Sequence, residues 1–269
     1  MILWHWVQQH RLLSVLILAF VIVSSAGGTA WALVFRTVSS PVGLRQALRI
    51  YRKDQTDKMM ATLRNHLPAP GVYTYRTTGG ESLSLMGVAR SFPSTTSMIV
   101  ENGNGNPSCA TVSWEPITEH TETTTECADA DGGYDVPRIY TTESIAGTST
   151  TSTVVCPTTA YLLPPPGVTS GQKWGATCAL QSPAEKVLLV GEVLGQSTMT
   201  VGGHAVTVEH SRFTLTFDGP QAGTNPTDFW VVPSSGLVVQ EKEEVGVTSD
   251  GVRYSENMAS TLTSLQPLT

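Results

Sequence analysis

Charge is scarce in this chain. Asp, Glu, Lys and Arg supply 14% of its 269 residues, about half the quarter usual for soluble domains. With abundant Ser and Thr, that shortage fits an exported protein better than a cytosolic enzyme. An excess of positive charge is missing too. The net charge is −6, which argues against nucleic acid as a partner. There is no CxxC pair, so neither the short ligand spacings of a zinc site nor a dithiol redox motif is present. The G-x-S-x-G elbow, H-E-x-x-H, the P-loop and G-x-G-x-x-G are likewise absent. The sequence therefore assigns no catalytic residue, no metal ligands and no cofactor. A second long apolar run is lacking, which argues against a polytopic membrane protein. Val, Leu, Ile and aromatic residues are spread along the whole chain, which argues against disorder.

One apolar run is present. Leu12 to Phe35 carries no charge over 24 residues, roughly 36 Å as a helix against a bilayer core of about 30 Å. Trp4, Trp6 and Trp31 suit the flanking interfaces. The segment reads as a retained signal anchor. The alternative is a cleaved signal peptide ending at Ser24-Ser-Ala26 or Ala30-Trp-Ala32, which would make the protein secreted. Apolarity continues through Leu33, Val34 and Phe35, past either site, and favours the anchor. Seven basic residues lie between Arg36 and Arg64, and a count of positive charge alone would keep that side in the cytoplasm. Long domains translocate largely regardless of charge. The expected topology is therefore N-terminus inside and C-terminal domain outside.

Residues 36–69 read as a basic juxtamembrane stalk, with a helix from Pro41 to Pro68. Such a segment suits anionic headgroups or simply spaces the domain from the bilayer. From Pro70 the texture changes to short alternating runs of Val, Thr, Ser and Tyr punctuated by turn residues. About fifteen short strands are expected between residues 70 and 269. Gly79-Gly80 separates two of them, and Gly202-Gly203 marks a tight hairpin. Pro164-Pro-Pro166-Gly167 marks a seam. The fold class is mainly β, a curled antiparallel sheet forming a half-barrel or open barrel.

Four cysteines, Cys109, Cys127, Cys156 and Cys178, allow three pairings. Sequential pairing closes loops of about twenty residues, each worth roughly 3 kcal/mol by loop-closure entropy. Disulfides imply an oxidising compartment. Asp129-Ala-Asp131-Gly132-Gly133-Tyr134-Asp135 is similar to the first half of a calcium loop but lacks the distal Glu, so an acidic surface turn is the plainer reading. His204, Glu209 and His210 invite a minimal metal or acid–base site, against the plainer reading of surface histidines near a hairpin. Acids thicken between Glu101 and Glu143, which holds nine acids and one base; ordinary solubility accounts for them.

Pro70-Gly-Val-Tyr-Thr-Tyr75, Arg90-Ser-Phe-Pro93, Cys109-Ala-Thr-Val-Ser-Trp114-Glu-Pro116 and Thr224-Asn-Pro-Thr-Asp228 resemble uncharacterised membrane-anchored envelope proteins of high-GC Gram-positive bacteria. That resemblance implies an anchor and an exported β domain, without functional residues. Gly171-Gln-Lys-Trp174 with Trp230-Val-Val-Pro233-Ser-Ser-Gly236-Leu-Val238 is similar to exported domains built as a curled half-barrel. Two functions follow as expectations. One is a non-catalytic tethered domain that binds an envelope lipid or other hydrophobe, or scaffolds an envelope protein. Its ligand-facing candidates are Leu83, Leu85, Ile99, Val112, Trp114, Val187, Leu189 and Phe213. The other is an envelope hydrolase using carboxylates or His210 with Glu209. A cavity with titratable groups favours the second, a greasy cavity the first.

Overall fold

The computed structural model describes residues 39–55 and 67–269, apart from 85–86, 104–105, 107, 129–133, 146–147, 158–159, 162, 165–167 and 182–183. The expected span Leu12–Phe35 lies outside the described residues, as do the calcium-like residues 129–133 and Leu85. Among the described residues no helix is long and apolar enough to cross a membrane.

Among the described residues one helix, α1 (Leu44–Gln55), precedes thirteen strands. They are β1 (Gly71–Leu83), β2 (Val88–Ser91), β3 (Thr95–Asn102), β4 (Cys109–Ile117), β5 (His120–Ala128), β6 (Tyr134–Ile145) and β7 (Thr148–Val155). Then follow β8 (Lys173–Gln181), β9 (Ala184–Val201), β10 (His204–Asp218), β11 (Gln221–Val232), β12 (Leu237–Ser249) and β13 (Val252–Leu262). From β3 to β13 each strand hydrogen-bonds to the next, β3 pairs with β1, and β1 returns to pair with β13. The sheet is thus a closed antiparallel barrel of twelve strands, with β2 as a short extra partner of β1. The half-barrel expectation is corrected. Closure rests on a continuous ladder from Tyr75↔Leu262 to Leu83↔Tyr254, which removes both free edges.

Gly79 and Gly80 are not a turn. β1 runs through them and changes partner there, from β3 to β2, while β13 stays on the other side. A Cβ at Gly79 would lie 1.9 Å from the Asn257 carbonyl oxygen, and one at Gly80 2.1 Å from that of Arg90. Only glycine lets backbones approach this closely at the corner. Gly202 and Gly203, with φ of 56° and 85°, form the expected tight hairpin between β9 and β10.

α1 does not stand off from the sheet. Ala47 and Tyr51 pack on Val72 and Ile99, which point outward from β1 and β3, while Arg45, Arg49, Arg52 and Lys53 share its other side. Inside the barrel Tyr73, Tyr75, Val187, Leu189, Phe213 and Phe229 belong to one buried apolar cluster. Phe213 and Phe229 stack at 5.5 Å.

The weakest seam is β7–β8, joined by two pairs, Val154↔Leu180 and Val155↔Ala179. The disulfide Cys156–Cys178 is the next rung of that register. Cys109–Cys127 instead joins directly opposed residues of the longer β4–β5 ladder. Their sequence separations, 18 and 22 residues, are close, so replacing either pair by Ser should cost a similar 3 kcal/mol or so. The seam pair should differ in local effect. Hydrogen exchange at the Val155 and Ala179 amides should accelerate at least tenfold in Cys156→Ser/Cys178→Ser and stay unchanged in Cys109→Ser/Cys127→Ser. Equal acceleration in both variants would contradict a stapled seam.

Candidate functional site

Strand residues alternate between the two faces of the barrel wall. Eight strands make an interior that side chains just fill; twelve leave space here, a cavity of about 640 Å³, within the range of small-molecule sites. Apolar side chains that line it include Met98, Val112, Val154, Phe213, Leu215 and Phe229. Glu122, Glu126, Glu241, Glu243 and Glu256 line the cavity, and among the described lining residues there is no Lys or Arg.

Glu81 anchors the acidic end. It is 3% exposed and lies opposite Glu256 across the closing ladder. The Arg90 guanidinium pairs with its Oε1, and Arg90 also donates to the Ser144 carbonyl at 2.9 Å. His120 Nδ1 sits 2.8 Å from Glu81 Oε2, with the His120 ring walled edge-on by Phe92 and Trp114 at 6.0 and 5.4 Å. The Tyr254 hydroxyl is 2.8 Å from Glu81 Oε2 and 2.6 Å from Glu256 Oε2. Burial opposes ionisation of Glu81, but His120, Arg90 and Tyr254 outweigh it and hold its pKa below the usual range. One hydroxyl carries one proton. The short Tyr254–Glu256 contact is therefore satisfied when Tyr254 donates to Glu81 and a protonated Glu256 donates to Tyr254. That assignment agrees with the Glu256 pKa, raised well above the ordinary value by burial and by Glu243.

Glu81, His120 and Glu256 also offer ligand atoms within 4.8 Å of one another, a grouping sequence reading had not assigned. Their chemistry fits a hydrogen-bonded node better than a metal centre. Arg90 already supplies the positive charge beside Glu81, and His120 and Tyr254 share the oxygen a metal would use.

The remaining acids have less support. Burial raises Glu241 well above its ordinary value, and Glu243, Glu122, Glu256 and Glu126 push it further. Glu243 is raised by burial despite a 2.7 Å hydrogen bond from Asn225. Glu126, 8% exposed, is pushed up to about 7 by burial alone.

Of the ligand-facing candidates, Leu83, Val112, Trp114 and Phe213 line the cavity. Ile99 faces outward under α1, because it lies one residue off the inward set of β3. Val187 and Leu189 are core. Glu209 and His210 are successive strand residues and are not brought together. Glu209 is raised by burial and bonds to Gln196. His210 stacks on Trp230 at 4.1 Å and sits 2.8 Å from Asp228, which Arg212 clamps with two hydrogen bonds. Burial works against the Asp228 charge, but Arg212 and His210 win and lower its pKa. His204 is exposed at the β9–β10 turn. Glu122 and Glu126, expected to serve solubility, face inward from β5, as does His120, which the sequence did not single out. A signal existed: Thr121, Thr123 and Thr125 make the other face of β5 polar too, so any barrel containing it must hold polar side chains inside.

These shifts fix a pH dependence. A buried acid with a raised pKa stabilises the fold fully below its ordinary value of 4.5 and loses that contribution as pH rises through its folded value, about 7 for Glu126. Glu241, Glu243 and Glu256 act in the same direction. Glu81, lowered, loses its contribution as pH falls through a value under 4.5. Thermal stability should therefore peak near pH 5 and fall toward pH 8. Glu126→Gln should recover up to about 3 kcal/mol of that loss, a Tm rise of several degrees at about pH 8 with little change at about pH 5. Melting followed by circular dichroism checks this, and an unchanged difference between the two pH values would contradict it.

No family model matches the chain, and no curated protein matches it. Among solved structures it is similar to the hypothetical lipoprotein YmcC of Escherichia coli K12, at 12% identity and a TM-score of 0.34, over 80% of this chain and 96% of that one. It is also similar to an inferred lipoprotein of Parabacteroides distasonis, at 10% identity and a TM-score of 0.33, over 76% and 99%. At these scores neither neighbour says what this chain binds.

Proposed function

We propose that this protein is a membrane-tethered extracytoplasmic barrel whose interior holds a small apolar or amphipathic molecule of the cell envelope. The cavity of about 640 Å³ carries the reading. Aromatic and aliphatic side chains border that space, and a hydrophobe placed against them removes apolar surface from water at about 25 cal/mol per Å². The two disulfides support a location outside the cytoplasm. The apolar run Leu12–Phe35 supports tethering.

A catalytic use of the same interior is the second reading. It is favoured by one observation, that Glu126 sits near 7, where a carboxyl works as general acid or base at neutral pH. It would draw on Glu126 and the acidic end, not on Glu209 and His210.

Binding is tested with the neutral fluorophore N-phenyl-1-naphthylamine. The protein should enhance its emission saturably, and Leu215→Trp, which fills the cavity from its apolar wall, should weaken binding at least tenfold while leaving the melting temperature within a few degrees. Saturable binding equally strong in Leu215→Trp would place the dye elsewhere and remove support for an internal site. The catalytic reading would lead if the protein hydrolysed a long-chain p-nitrophenyl ester and Glu126→Gln abolished that turnover.

A further inference from the structure

The acidic end of the cavity is not accounted for by the fold's own needs. Glu81 is compensated: Arg90, His120 and Tyr254 converge on it. Glu126 is not. It is 8% exposed, lines the cavity, and makes no hydrogen bond or ion pair among the described residues. Glu256 Oε1 is also buried without a hydrogen-bond partner. Acidic and apolar surfaces meet directly at β11–β12, where Phe229 pairs with Glu241 and Thr227 with Glu243. Carboxylates buried without partners are destabilising. Glu126 is such a group, it shares the space with four more glutamates, and no Lys or Arg stands among the described lining residues, which leaves a place for an incoming cation.

We propose that the cavity is built for an alkyl ammonium ligand, its chain along the Phe213–Phe229 wall and its amine among Glu126, Glu241 and Glu243. This rests on the reading that the cavity takes a ligand at all, and it adds the sign and chemistry of the head group. A primary ammonium carries three N–H donors and no acceptor, which suits several acceptors arranged around one point. A metal ion is a poorer occupant, because the one tight set of ligand atoms, at Glu81, His120 and Glu256, already has Arg90 beside it. A fatty acid would bring a sixth carboxylate to the five that line the space.

Calorimetric titration of the full-length chain, held in an amphipathic polymer at about pH 8, with octylamine, 1-octanol and octanoate tests this. The amine should bind roughly tenfold or more tightly than the alcohol, as a charge-assisted hydrogen bond exceeds a neutral one, and octanoate should bind no better than the alcohol. Glu126→Gln/Glu241→Gln removes two buried charges, so the variant should fold. It should lose the amine's advantage and keep alcohol binding, whereas Glu244→Gln, exposed on the outer face, should change neither. Alcohol binding without an amine advantage, or an advantage that survives the double substitution, overturns the ammonium inference alone. Failure of all three to bind overturns the cavity reading with it. Calcium or zinc displacing octylamine at micromolar concentration would assign the carboxylates to a metal ion and overturn the proposal.

Discussion

The ladder that joins β1 to β13, from Tyr75↔Leu262 to Leu83↔Tyr254, is the constraint on which the rest depends. Without it the strands would form an open curled sheet with one face to solvent, and inward-pointing glutamates would be ordinary surface charge. With it, every second residue of twelve strands faces an enclosed space. The closure also sets Glu81 opposite Glu256, so the ladder that seals the barrel builds the polar node within it. Glycine at 79 and 80 lets three backbones meet at that corner, which couples the closure to two residues without side chains.

The interior divides by how charge is handled. At the Glu81 end, Arg90, His120 and Tyr254 make a network that keeps one carboxylate ionised despite burial. Further along, Glu126, Glu241 and Glu243 are raised because burial acts on them with little or no compensation. The apolar core of Tyr73, Tyr75, Leu189, Phe213 and Phe229 and the two disulfides offset that cost. A fold that needed only stability would have placed apolar residues at these positions. Their presence beside an apolar cavity lining is the physical reason for reading the interior as a binding site.

Much of the architecture was legible in the chain. The Val- and Thr-rich alternation from Pro70 announced strands, Gly202-Gly203 announced its hairpin, and sequential cysteine spacing allowed the pairing that is found. Closure was not legible, because no single strand encodes whether the first and last will meet. Gly79-Gly80 misled for a physical reason: a glycine pair suits a turn and equally suits a strand crowded on both sides. The site was hidden in a similar way. Ile99 and Val112 look alike as strand residues, yet one residue of register sends Ile99 outward under α1 and Val112 inward. Glu122 and Glu126 read as solubility because acidic residues on strands usually face water. Only the closed topology turns that face inward.

The most direct test of the account is native mass spectrometry of the full-length protein, drawn from its own envelope in an amphipathic polymer without detergent. The account predicts a discrete added mass, lost on organic extraction or on acidification that protonates the glutamates, and recovered as a nitrogen-containing amphiphile. A bare mass equal to the chain less the four hydrogens of its two disulfides would contradict it and leave a barrel whose acidic interior serves no ligand.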